Sequence, residues 1–325
     1  MTGADETPFD SGELQLGAIL GNVVAMARNQ RGSRVLQEAL EAQVPGEYTL
    51  IDVIYMELLE HFVPLMTDLY GNYVCQKLLR KCRPVQVHAI VKHIQGDLVE
   101  LAQDPHGTRA VQCLVQILSM HPHYLADVQI VIKALQENAI GLIHSMHGNH
   151  VIQSCLTNFS CTANNFVHET LLKYFVPVAN NRYGCCVLQC CLKTGNYDQY
   201  QALLEVLCKN TLVLVKDAYG NYAVQFILDR GDPNMYIKMF TNMKDHIAQL
   251  SMQKFSSNVI EKGLRWEPEF APTAALIVTE LSVTDKTPAL LHSPYGNYVI
   301  QKASYPNPNP NLNPIPNLPI RIITF

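Results

Sequence analysis

One short block recurs along this chain and constrains its fold more than any other feature. Tyr70-Gly71-Asn72-Tyr73-Val74-Cys75-Gln76 returns as Tyr219-Gly220-Asn221-Tyr222-Ala223-Val224-Gln225 and as Tyr295-Gly296-Asn297-Tyr298-Val299-Ile300-Gln301. Looser copies open at Arg31, His106, His147, Tyr183 and Phe255, making eight. Their glycines, with Ser256 in the seventh copy, step by 39, 36, 41, 36, 36, 36 and 40 residues. A period of 36 with three insertions accounts for these steps. The insertions fall at Gln43–Thr49, Ser119–Tyr124 and Arg265–Thr273, and each contains Pro, as lengthened surface loops do. Self-similarity at such a period marks a repeat architecture.

Inside each unit the apolar residues follow a helical period. Val74, Leu78 and Leu79, or Val151, Ile152, Cys155 and Leu156, lie on one helical face after the Gly. A second amphipathic stretch follows, as in Pro84–Ile94, Asn165–Phe175 or Tyr197–Leu207. A short apolar piece then leads to the next Gly, as in Leu98–Ala102 or Leu212–Val215. The expected fold is all-α, with three helices per unit. A unit of this size cannot bury its apolar face alone, so eight units are expected to stack into an α-solenoid.

The repeated register carries polar chemistry. With the residue after each Gly taken as i, position i reads Ser33, Asn72, Thr108, Asn149, Cys185, Asn221, Ser257 and Asn297. Position i+4 reads Gln37, Gln76, Gln112, Gln153, Gln189, Gln225, Glu261 and Gln301. On a helix these two share a face, one turn apart, and i+1 points to the flank. Position i+1 reads Arg34, Tyr73, Arg109, His150, Cys186, Tyr222, Asn258 and Tyr298, of which six are planar Tyr, His or Arg. A row of hydrogen-bonding pairs, each beside a flat group, suits a polymer of flat hydrogen-bonding rings. Single-stranded nucleic acid is such a polymer, and stacking contributes ~1–3 kcal/mol per base. The bland alternative is a structural ladder of Asn and Gln in a solenoid scaffold.

Charge alone argues mildly the other way. With 24 Lys+Arg against 28 Asp+Glu the chain carries a net charge of −4, whereas proteins that hold nucleic acid by its phosphates are usually basic. Binding is therefore expected through a localised surface with contacts to bases.

The block Tyr-Gly-Asn-Tyr-Val-x-Gln and its eight copies resemble the Pumilio/PUF family of RNA-binding proteins, over about residues 14–303. The resemblance implies a curved crescent of eight three-helix repeats that reads RNA one base per repeat, antiparallel to the protein. It places base-edge contacts at positions i and i+4 and stacking at i+1. Gln offers a donor beside an acceptor, which matches adenine; acceptor-only Glu matches the adjacent donors of guanine. In the family, a small residue with Gln goes with A, Asn with Gln goes with U, and Ser with Glu goes with G. Ser33/Gln37, Thr108/Gln112 and Cys185/Gln189 then imply A. Asn72/Gln76, Asn149/Gln153, Asn221/Gln225 and Asn297/Gln301 imply U, and Ser257/Glu261 implies G. Reversed for antiparallel binding, the implied target is 5′-UGUAUAUA-3′. The resemblance further implies sites in mRNA 3′ untranslated regions, control of message translation and stability, and recruitment of deadenylation or repression machinery.

Three departures carry expectations. Cys186 stands where the family usually places Arg, so the fifth repeat is expected to stack weakly. Residues 1–13 form a tail too short for the usual N-terminal cap. After Ala303 the chain meets Pro306, Pro308 and Pro310, and residues 304–325 read as a Pro/Asn-rich low-complexity tail. Pro cannot continue a helix, so the eighth repeat is expected to be incomplete and its Asn297/Gln301 contact weakened.

Other chemistries fit poorly. Cys185, Cys186, Cys190 and Cys191 sit at helical spacings without a C-x-x-C pair, so no metal site is expected, and Cys190 and Cys191 read as small packing residues. There is no phosphate loop, H-E-x-x-H or nucleophile–His–Asp signature, so neither a cofactor nor an enzyme activity is expected. No apolar run reaches the ~18–20 residues that cross a membrane. The acidic N-terminus does not resemble a secretory leader, and ten cysteines suit a reducing compartment. The expected location is the cytoplasm. Two competing readings remain. A helical protein-interaction scaffold would show no preference for one octamer over its scrambled form, and a nucleolar PUF-like protein would be basic with degraded triplets.

Overall fold

In the computed structural model the described residues are 19–42 and 49–304, and every regular element among them is a helix. The chain divides after Asn138 into two units. The first holds α1 (Val23–Ala27), α2 (Gln30–Ala42), α3 (Thr49–Leu58), α4 (Phe62–Met66), α5 (Gly71–Lys81), α6 (Pro84–Ile94), α7 (Leu98–Gln103), α8 (Gly107–Ser119) and α9 (Leu125–Gln136). The second opens with α10 (Ala139–His144), α11 (Gly148–Asn158), α12 (Asn165–Lys173), α13 (Phe175–Ala179), α14 (Gly184–Thr194), α15 (Tyr197–Lys209) and α16 (Thr211–Leu214). It continues with α17 (Gly220–Leu228), α18 (Pro233–Asn242), α19 (Ile247–Ser251), α20 (Ser256–Gly263), α21 (Ala271–Val283), α22 (Thr287–His292) and α23 (Gly296–Ser304).

The three-helix unit expected from the sequence is present in the described residues. A short helix such as α7 leads into a helix that starts at the repeated Gly, such as α8. A longer outer helix, such as α9, then follows. We call the helices that carry the repeated Gly, or Ser256 in the seventh repeat, at or near their start the reading helices. In the first unit α2 packs on α5 and α5 on α8; in the second α11, α14, α17, α20 and α23 pack in sequence. The core lies between reading and outer helices. Val74, Cys75, Leu78 and Leu79 of α5 are buried, as are Val87, Ile90, Val91 and Ile94 of α6. Each such aliphatic side chain contributes roughly 1.5–3 kcal/mol of burial. No unit keeps that surface covered unless its neighbour lies against it.

Helix starts are written locally. Pro84 opens α6 without sacrificing a hydrogen bond, because the first-turn N–H groups have no intrahelical acceptor. Asn196 Oδ1 accepts from Gln199 N–H at 2.9 Å and Gln199 Oε1 accepts from Asn196 N–H at 3.1 Å, a capping box that starts α15. Two of the three insertions fold as 3₁₀ turns, Pro122–Tyr124 and Pro268–Phe270. The first insertion lies mostly outside the described residues. So do the tail at 1–13 and the Pro/Asn-rich segment beyond Ser304, together with what they imply for capping and for the eighth repeat.

Candidate nucleic-acid interface

Seven of the eight reading helices are set in place by a residue three positions before the Gly. Asp68 Oδ1 accepts from the N–H groups of Tyr70 and Gly71 at 2.8 and 2.7 Å. Asp217 does the same for Tyr219 and Gly220, both at 2.8 Å. Asn29, Asp104, Ser145, Asn181 and Ser293 hold the same station with the same pair of bonds. These are N-caps satisfying donors the helix cannot. Only Gln253, in the seventh repeat, is not a residue of that type.

The Gly answers a second demand. The repeated Gly of each reading helix lies against a carbonyl of the preceding short helix. A Cβ on Gly71 would stand 2.9 Å from the Leu65 carbonyl oxygen, and one on Gly184 would stand 2.4 Å from that of Val178. A side chain does not fit there. Ser256 is the exception, and its buried hydroxyl donates to the Leu250 carbonyl at 2.6 Å.

Positions i and i+4 are brought together, but unequally. Asn72, Asn149 and Asn221 are each only 2% exposed, whereas their Gln partners are half-buried. Asn72 Nδ2 donates to the carbonyls of Asp68 and Leu69 at 2.8 and 3.1 Å, and Asn149 and Asn221 repeat that pattern. Carbonyl oxygens only accept, so the Asn amide nitrogen must face them and Oδ1 must face outward. The Gln can then offer it only an N–H. Gln76, Gln153 and Gln225 donate to those Oδ1 atoms at 3.1, 2.9 and 2.7 Å. Each Gln is left with one N–H and its carbonyl oxygen for a ligand.

The small partners hold the Gln differently. Gln37 Nε2 donates to Ser33 Oγ at 2.9 Å, and Ser33 passes its own proton to the Tyr70 carbonyl of the next repeat at 3.0 Å. Gln112 donates to both the hydroxyl and the carbonyl of Thr108 at 3.1 Å. In the fifth repeat Cys185 Sγ points to the Arg182 carbonyl at 3.3 Å, and Gln189 has no side-chain hydrogen bond among the described residues. Burial pushes the Cys185 thiol up to about 12, so it stays neutral. In the seventh, Ser257 is buried beside half-buried Glu261. Burial raises the pKa of that carboxyl, against a smaller lowering effect of Lys302. In the eighth, Asn297 is half-buried with its Oδ1 unpartnered, and Gln301 is exposed.

Every i+1 side chain is exposed: Arg34, Tyr73, Arg109, His150, Cys186, Tyr222, Asn258 and Tyr298. Tyr73, Tyr222 and Tyr298 show more than half their surface, which leaves their ring faces open to a stacking partner. Between the first two repeats the residues enclose a slot of about 310 Å³, walled by Ser33, Arg34 and Gln37 on one side and Tyr73 on the other. Gln30 and Tyr70 complete it. The sequence analysis did not single out Gln30 and named Tyr70 only as part of the repeated block, although seven of the eight residues just before the Gly position are aromatic or His.

Known proteins place these features in a family. The sequence matches the pattern described as a Pumilio-family RNA binding repeat at residues 22–49, 61–95, 97–121, 140–163, 174–208, 210–240, 246–265 and 293–303. The chain belongs to the Pumilio (PUF) family. It is 37% identical over 290 residues to putative pumilio homolog 7, chloroplastic, of Arabidopsis thaliana, covering 88% of this chain and 43% of that protein. It is 38% identical over 286 residues to putative pumilio homolog 8, chloroplastic, covering 87% and 54%. The chain thus spans about half the length of the curated relatives it matches. Among solved structures it is similar to the Puf4 RNA binding domain bound to the HO endonuclease RNA 3′ UTR recognition sequence. The TM-score there is 0.80 at 33% identity, covering 90% of this chain and 88% of that one. The RNA-binding domain of yeast Puf5p bound to MFA2 RNA gives 0.74 at 26% identity, covering 87% and 82%.

A PUF chain is an all-helical binding protein, not an enzyme. Among the described residues no group of three or more His, Cys, Asp or Glu could hold a metal. No described helix is long and apolar enough to cross a membrane. The spacing of the PUF reading helices has its own ladder, which the sequence analysis did not single out. The sixth residue after the Gly position meets the ninth of the preceding repeat, pairing Lys77 with Glu41 and Lys262 with Asp229. At the same station Lys193 lies 5.4 Å from the centre of the Phe226 ring.

Proposed function

We propose that this chain binds single-stranded RNA in mRNA 3′ untranslated regions, one base per repeat, with the target 5′-UGUAUAUA-3′. The observation that carries the reading is the order of the reading pairs. Four Asn/Gln pairs alternate with small-residue/Gln pairs, and Ser257/Glu261 stands second from the C-terminal end. Each Gln held by Asn or by a small hydroxyl keeps one N–H and one carbonyl oxygen, the complement of a uracil or adenine edge. Asn72, Asn149 and Asn221 act on the base mainly through the Gln they orient. Arg34, Tyr73, Arg109, His150, Tyr222 and Tyr298 supply stacking planes, with Cys186 and Asn258 the weaker ones. Residues 14–303 are the RNA-binding region.

Such binding regulates translation and stability of the bound message in the cytoplasm, through partners that include deadenylation or repression machinery. The test is fluorescence polarisation of the chain with labelled UGUAUAUA RNA, against the same RNA with UGU changed to ACA. Binding at least tenfold tighter to the first supports the reading. Equal binding to both, or to a scrambled octamer, would favour a protein-interaction scaffold.

A further inference from the structure

The insertion at residues 119–124 walls a groove of about 430 Å³ in the first unit, and no reading-pair residue is among those that line it. Its floor is apolar and comes from the ends of α5 and α8 and from the insertion: Leu79, Cys113, Ile117 and Tyr124 are all buried. Burial pushes the thiol of Cys82, which lines one side, up to about 12, and raises that of Cys113, so both stay neutral and unreactive. The insertion holds its own shape. The rings of His121 and His123 stack with centres 5.2 Å apart, and His123 lies 4.1 Å from Tyr124.

The rim combines two features. Met120 is 66% exposed at the mouth, and Val85 and Leu125, next in sequence to the lining residues Pro84 and Tyr124, are 73% and 66% exposed. Large apolar side chains held in water beside an apolar groove mark a contact surface. Arg80 also lines the groove. Its side chain donates to the Gln76 carbonyl at 3.1 Å, and among the described residues no carboxylate forms an ion pair with it. None of the lining residues is an Asp or Glu. Exposed Met with aromatic and Arg neighbours is the composition of a protein-interface core.

We propose that this groove docks a short peptide segment of another protein, which inserts one or two apolar side chains and sets an Asp or Glu against Arg80. The volume suits a pair of aliphatic or aromatic side chains. Arg80 shares the nearby Glu41 charge with Lys77 and Lys81 and has no ion-pair partner of its own among the described residues, so the excess of cations favours a carboxylate. A nucleic-acid occupant fits less well: His121, His123 and Tyr124 offer flat groups, but the buried floor of Leu79, Cys113 and Ile117 gives a base edge no side-chain hydrogen-bond partner of the amide or carboxylate kind.

The test selects binders from a random 12-residue peptide library on the full chain. The enriched peptides are then titrated by fluorescence anisotropy against the chain, Met120→Glu and Arg80→Glu. Enriched sequences should combine bulky apolar residues with Asp or Glu, and either variant should weaken them at least tenfold. Replacing the peptide's acid by Lys should restore binding to Arg80→Glu. Both substitutions are at exposed positions, and the milder Met120→Ala and Arg80→Ala, checked by thermal melting, separate lost contact from lost fold. Three results would overturn the proposal. These are a library that yields no binder, binders indifferent to both variants, and variants that lose affinity for RNA carrying flanking nucleotides instead of for peptide.

Discussion

In the second repeat the reading pair is tied down atom by atom. Asp68 caps the helix, Asn72 spends its amide on two carbonyls, and Gln76 is pinned to Asn72. The seventh repeat has Gln253, Ser257 and Glu261 at these stations and makes none of the equivalent side-chain bonds among the described residues. Its helix is nevertheless in register. Lys262 pairs with Asp229, just past the end of α17, as Lys77 pairs with Glu41 in α2, and Val259 and Ile260 are buried as Val74 and Cys75 are. The scaffold is therefore carried by core packing and inter-repeat contacts. The reading pair is free to change its chemistry without moving the helix.

That separation can be broken most sharply at the seventh repeat. Glu261→Gln converts an acceptor-only group into a donor–acceptor pair. Affinity for UGUAUAUA should fall by roughly tenfold or more, from about 1–3 kcal/mol of discrimination in a good bidentate pair. The variant should prefer A at the second base, as competition titrations with UGUAUAUA and UAUAUAUA will reveal. Unchanged preference for G would break the carry-over of the family's pairing rule.

Asn72→Ala and Ser257→Ala sharpen the contrast. The first removes two hydrogen bonds to backbone and the anchor of Gln76, which should lower stability by about 1–3 kcal/mol. The second removes a hydroxyl that makes no hydrogen bond among the described residues, and its urea midpoint should move little. Equal midpoints for the two variants would mean that the Asn network is not structural. The caps come next in size. Asp217→Ala should cost about 1 kcal/mol, and Gln253→Asp should stabilise by up to about the same amount by supplying the missing cap.

The smallest effect concerns pH. Burial raises the Glu261 carboxyl in the folded chain, so the folded state holds that proton more readily than the unfolded one. Keeping the carboxylate charged at neutral pH therefore costs stability, and the cost fades as the pH falls through the raised value. Glu261→Gln should melt at or above the parent temperature at pH 7, with the gap closing on acidification. A gap that widened would reverse the sign of the burial argument.

Much of the site was legible in the sequence because its determinants are local. The i, i+4 and i+1 stations follow from helix geometry alone, and the structure makes i+4 half-buried or exposed and i+1 exposed in all eight repeats. The burial of position i was not legible. Asn72 looks like an equal partner of Gln76 in the sequence. It sinks to 2% exposure because its amide reaches back to the carbonyls of Asp68 and Leu69 in the preceding turn. Asp68 and Asn181 lie three before the Gly, outside the block that the sequence analysis singled out, and the bonds they accept show that they start the helix. Tyr70 was read as part of a motif, whereas the slot it lines needs two repeats at once.

By itself the sequence determined the number of repeats, their helical character and the order of the reading pairs. Each of these is a pattern of residue types at fixed spacings within 36 residues, and helix periodicity converts such spacing directly into a shared face. Only the tertiary structure decided which member of each pair is buried and which ion pairs space the reading helices. It alone decided that an insertion after α8 walls an apolar groove. All three depend on atoms from different turns or different repeats meeting in space, and those distances are set by packing, which no local spacing encodes.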